Sequence, residues 1–71
     1  MIDISKIKPG DKVHYWPAHY IKQDKHENGM VKSLAPNGGV FVVYNCGGDW
    51  DNYREFTAAN TKAHDLFYDW K

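Results

Sequence analysis

The chain has one cysteine in 71 residues, so it cannot close a disulfide within itself. A reducing compartment, the cytosol, is the expected setting. Long hydrophobic runs are also missing. The longest apolar stretch, Val40 to Tyr44, has five residues, whereas a membrane helix needs about 20. The opening MIDISKIK does not place a basic region before an apolar segment of about 7–15 residues, so no export signal is read there. Charge of one sign is absent too. Nine basic and nine acidic side chains cancel, and strong unspecific attraction to a polyanion is not expected. The cancellation is uneven, because residues 1–32 carry six lysines against Asp3, Asp11, Asp24 and Glu27. Residues 33–71 lean acidic, leaving room for a local basic face.

What the chain has in excess is aromatic surface: three Trp, five Tyr and three Phe. A chain of this length forms one domain, here residues 1–71, and buries only about 60% of the surface its unfolded form exposes. Eleven rings do not all fit inside so small a core. Phe41, Tyr44, Phe56 and Phe67 are the expected core rings. Trp16, Tyr20, Trp50 and Tyr53 lie near loops or strand ends and form the expected exposed patch, with Lys22 and Arg54 as its polar edge.

Glycine-containing turn signals recur about every ten residues, at Pro9-Gly10, Asn28-Gly29, Pro36-Asn37-Gly38-Gly39 and Gly47-Gly48. That rhythm predicts a small all-β domain. Residues 11–17 alternate Val13 and Tyr15 on one side with Lys12, His14 and Trp16 on the other, as a half-buried strand does. Residues 18–28 are polar and aperiodic and read as a long loop. Residues 29–34 and 40–45 are expected to pair as a hairpin across the Pro-Asn-Gly-Gly turn. Val40 to Tyr44 is apolar at both parities, which predicts a central strand covered on both faces. Beyond it, the pattern suggests a strand near 52–58, a helical or 3₁₀ turn around 61–66, and a closing strand near 66–70.

The chemical motifs are incomplete. NCGGDW at 45–50 lacks the following helix and the lysine of a phosphate-cradling loop, and Asp49 and Asp51 oppose an anion there. Cys46 as a nucleophile needs a base, and although His14, His19, His26 or His64 could approach it in three dimensions, no local signature points to any of them. His14 and His19, with four residues between them, supply half of a zinc ligand set and nothing supplies the rest. Asp49, Asp51, Glu55, Asp65 and Asp69 read as solvated turn residues, since a carboxylate pair needs a cleft that little material is available to build. No catalytic residue, metal or cofactor is expected, and the chain reads as a non-enzymatic binding module.

The segments IKPGDKV (7–13) and NGMVKSL (28–34) resemble the start of small SH3-like barrels of the KOW and Tudor type. VFVVYNCGGDWDNY (40–53), with Thr57, Thr61, Asp65-Leu66 and Trp70, is similar to short bacterial and bacteriophage or prophage proteins of the same length. The resemblance implies a strongly bent five-stranded barrel with a short helical or 3₁₀ turn before the last strand. It also implies binding: RNA or ribosomal surfaces for KOW relatives, methylated side chains in aromatic cages for Tudor relatives, proline-rich peptides for SH3 domains. The chain lacks the dense basic loop of RNA-binding members, no particular aromatics are assigned to a cage, and Asp49-Trp50-Asp51 only faintly echoes an SH3 peptide site. The resulting expectation is a phage or prophage accessory protein that occludes a host or defence protein through its aromatic patch. Nucleic acid, a small molecule held between subunits, and a homodimer are the alternatives.

Overall fold

The computed structural model describes residues 2–71. Five strands, β1 (Lys12–Tyr15), β2 (Glu27–Leu34), β3 (Gly39–Val43), β4 (Ala59–Lys62) and β5 (Leu66–Tyr68), form one antiparallel sheet in the order β4-β3-β2-β1-β5. The sheet is open, with β4 and β5 at its two edges.

The period-two pattern of β1 sorts its side chains as the sequence suggests. Val13 lies opposite Gly29 of β2 and is fully buried. Together with Val31, Val40, Val42, Leu66, Ile2 and Ile7 it makes the main core. The isoleucines arrive from the N-terminal segment, which turns through a 3₁₀ piece, Ile4–Lys6. Asp3 caps that piece by accepting from the Ser5 amide and hydroxyl, and these hydrogen bonds hold its carboxyl below the usual range. Full burial of an aliphatic side chain contributes about 1.5–3 kcal/mol, so this small set carries much of the stability.

The hairpin between β2 and β3 turns at Pro36–Gly38 with Asn37 at φ 61° and Gly38 at φ 77°, as the turn residues predict. A bulge between Val31 and Ser33 shifts the β2–β3 register. The intervening Lys32 donates from Nζ to the Phe56 carbonyl at 2.8 Å.

β3 is covered on both sides. Val40 and Val42 face the main core, whereas Val43 pairs with Met30 on the opposite face, and both are buried. The 3₁₀ segment Trp50–Glu55 packs against β2, and its Tyr53 is buried. This segment corrects the strand expected at 52–58. Trp50, Tyr53 and Phe56 recur every third residue, the period of a 3₁₀ helix, so they keep one side of the segment apolar.

The fourth strand lies later, at Ala59–Lys62, where a helical turn was expected to begin. The 3₁₀ turn follows at Ala63–Asp65, directly before β5, in agreement with the sequence reading of that junction. Residues 18–28 are not one loop either. Pro17 precedes a five-residue helix, α1 (Ala18–Lys22), and β2 begins at Glu27. The expected core rings Phe41, Tyr44, Phe56 and Phe67 are all half-buried, because β-branched residues fill the space between the strands.

Candidate functional site

At one end of the main core the apolar side chains give way to hydroxyls and carboxylates. The strand period dictates which residues meet there. Tyr15, two residues after Val13, and Glu27, directly opposite Tyr15 in register, share the core-facing side of β1 and β2. Tyr44 follows Val42 at the same parity, and Thr61 lies opposite Val40. Asp65, from the 3₁₀ turn after β4, completes the rim. These five, with Asn60 and Lys62, line a cavity of about 340 Å³.

The rings stand edge to face. Tyr15 and Tyr44 are 6.0 Å apart at 64°, and Tyr15 and Tyr20 are 5.2 Å apart at 80°. Tyr20, carried by α1, donates its hydroxyl to Glu27 Oε2 at 3.3 Å, and Tyr44 and Thr61 share a hydrogen bond of 2.8 Å. Burial pushes the Tyr44 phenol up to about 12, and the charges of Glu27 and Asp65 act in the same direction. Tyr20 is raised by desolvation and by Glu27.

Desolvation is the larger cause of both shifts, and the neighbouring carboxylates add to it. Among the described residues, no lysine or arginine nitrogen lies within 4.0 Å of the Glu27 carboxylate, and Asp65 meets only His64, at 3.5 Å. Two carboxylates against the single ammonium of Lys62, with two tyrosine rings beside them, favour a cation.

The six residues expected to form a patch fall into two groups, Trp16, Tyr20 and Lys22 at the end of β1 and on α1, and Trp50, Tyr53 and Arg54 on the 3₁₀ segment. Trp16 is half-buried on the outer face of β1, 6.0 Å from Phe67, with Lys71 Nζ 4.4 Å above its ring. Trp50 sits 4.9 Å from Trp70. Tyr20 stands at the rim of the mouth, and Lys22 ends α1 on the exposed side. Tyr53 is only 9% exposed, with the Arg54 guanidinium 5.4 Å from its ring centre, so it does not offer that ring to solvent. Tyr53 lies within the 3₁₀ segment that packs against β2, and its ring is buried there.

The face of β1 opposite the core is also occupied. Asp69, at φ 64°, redirects the chain after β5, and Trp70 donates its indole N–H to the Gly29 carbonyl at 2.8 Å while Lys12 lies over its ring. His14 donates from Nδ1 to the Asp69 carbonyl and stacks on Phe67. Cys46 is buried at 4% exposure and is not among the residues lining the mouth. Among the described residues, no three His, Cys, Asp or Glu side chains gather as a metal site, and no helix is long and apolar enough to cross a membrane.

The mouth residues Tyr15, Glu27, Tyr44, Thr61 and Asp65 were not singled out from the sequence as a site. Parity alone could have aligned Tyr15 with Val13 and Tyr44 with Val42. The two carboxylates come from distant segments and carried no local signal. Comparison with protein families, curated proteins and solved structures returns no match for this chain.

Proposed function

We propose that the chain is a non-enzymatic binding module whose mouth holds a cationic side chain of a protein partner. The observation that carries this reading is the cavity of about 340 Å³ in which Tyr15 and Tyr44 meet the Glu27 and Asp65 carboxylates. A lysine or arginine entering it exchanges part of its hydration for ring faces and acidic oxygens, an exchange favourable by about 0.5–2 kcal/mol per ring contact. Affinity beyond that level must come from the surrounding surface, which fits occlusion of a partner better than capture of a free small molecule.

Two features support reading the curled sheet as an SH3-like barrel. A 3₁₀ turn joins β4 to β5, and the Trp16 amide donates to the Asp65 carbonyl at 2.9 Å, drawing the end of β1 to that turn. The single cysteine, which closes no disulfide within the chain, fits a partner met in a reducing cytosol.

Amide chemical shifts measured during titration with acetyl-Gly-Lys-Gly-amide test the reading. Shifts should concentrate at residues 15, 27, 44, 61 and 65, should vanish when norleucine replaces the peptide's lysine, and should weaken in Glu27→Gln. Equal shifts with norleucine would reject it.

Nucleic acid is a second reading, favoured by Lys12 and Lys71, each lying over an indole of the outer face. It predicts affinity for single strands that falls steeply with salt. The acidic mouth opposes phosphate, so the protein partner ranks first.

A further inference from the structure

The mouth has a neighbour of opposite character. A recess of about 480 Å³ lies between the Pro36–Gly39 turn and the side chains of Asn60, Lys62 and His64. It shares Asn60 and Lys62 with the mouth, so these two residues of β4 wall both hollows. They have the same parity on the strand, whereas Thr61 between them turns to the core. The result is a ridge of one amide and one ammonium with an acidic hollow on one side. On its other side is a hollow whose lining contains no carboxylate.

The charges on this ridge are not spent internally. Among the described residues, Lys62 is in no ion pair within 4.0 Å, even though Glu27 and Asp65 line the same mouth. β4 is also an edge strand, with β3 as its only partner in the sheet, so extended chain can approach its free side.

We propose that the two hollows act as one bipartite groove for an extended segment of the partner in which a lysine or arginine lies next to, or one residue away from, an aspartate or glutamate. The cation enters the mouth beside Tyr15 and Tyr44, and the carboxylate crosses the ridge to meet the Lys62 ammonium and the Asn60 amide. This rests on the reading of the mouth as a cation site. It adds that the partner's cation alone is an incomplete ligand, and that a purely basic segment is disfavoured by Lys62.

The test is a set of titrations with acetyl-Gly-Lys-Asp-Gly-amide and acetyl-Gly-Lys-Gly-Asp-Gly-amide, each compared with its asparagine and norleucine counterparts, against the native protein and Lys62→Met. An aspartate-containing peptide of at least one spacing should bind about threefold to fivefold more tightly than its asparagine form, the range of a solvent-exposed ion pair. That gain should disappear in Lys62→Met, whose change on an exposed edge position leaves the amide spectrum of the core in place as a check on folding. If aspartate and asparagine forms bind alike at both spacings, or if Lys62→Met weakens both equally, the bipartite groove is overturned while the cation mouth survives. If the norleucine peptides bind as well as the lysine peptides, the mouth itself fails and the groove with it.

Discussion

The hydroxyls of Tyr44 and Thr61 meet at 2.8 Å, tying the end of β3 to the edge strand β4 at the point where the core opens. One hydrogen bond therefore bears on both the fold and the site. Thr61 also donates to the Ala59 carbonyl at 3.3 Å, so its hydroxyl hydrogen has two acceptors to choose from and its lone pairs remain available to Tyr44. Replacing Thr61 by Val keeps the shape and removes this link. The expected loss of stability is about 0.5–1.5 kcal/mol, read by urea unfolding, and a Thr61→Val protein as stable as the native one would show that the bond contributes nothing.

Tyr44 predicts an alkaline transition. Its folded pKa, about 12, lies above the ordinary phenol value of 10.0, so the folded state holds this proton more tightly than the unfolded chain does. Stability from this group is intact below pH 10 and declines as pH rises from there through about 12. Tyrosinate absorbance should show one phenol ionising late, and Tyr44→Phe should remove that late step. If the slow-titrating phenol persists in Tyr44→Phe, the assignment is wrong.

Gly29 is a steric requirement of the mouth. A Cβ placed there would lie 2.5 Å from Val42 Cγ1 and 2.9 Å from Tyr44 Cδ1. Gly29→Ala forces both side chains to move and is expected to destabilise the fold by about 1–3 kcal/mol while displacing the Tyr44 ring. Thermal unfolding gives the first effect. Altered side-chain resonances of Tyr44 give the second, and a neutral outcome in both would refute the close packing.

Leu66 and Leu34 offer a paired control on where the core sits. Leu66 is fully buried at the start of β5, whereas Leu34 is 54% exposed at the end of β2. Leu66→Ala is expected to lower stability by about 2–5 kcal/mol, and Leu34→Ala by less than about 1 kcal/mol. Comparable losses for the two would place the core elsewhere.

Much of the sheet was legible in the chain. Val13 and Tyr15 alternate against Lys12, His14 and Trp16; Asn37 and Gly38 accept positive φ; and Val40, Val42 and Val43 face both ways, so local chemistry suffices for β1, β2 and β3. The 3₁₀ turn before the last strand was legible as well. β4 was not, because Ala59, Asn60 and Lys62 have little intrinsic preference for a strand and only Thr61 is buried. Its conformation follows from pairing with β3, a tertiary effect that a local pattern does not contain. Helix α1 is too short for periodicity to reveal, and its N-cap is a proline that makes no side-chain hydrogen bond. The mouth was hidden for a related reason. Glu27, Thr61 and Asp65 are brought together by register, and an excess of rings seen in one dimension says nothing about which of them share a face.

The strap formed by Asp69 to Lys71 implies an order of assembly. Its hydrogen bonds reach Gly29 and Asn28, 41 and 43 positions earlier in the chain, whereas the β2–β3 hairpin closes across a three-residue turn. Closing the longer loop surrenders more chain entropy, so the hairpin is expected to zip first and the strap to latch last. In native-state hydrogen exchange the indole proton of Trp70 should then be released before the amides of Val31 and Val42. Protection of that indole to the level of global unfolding would reverse the sequence of events.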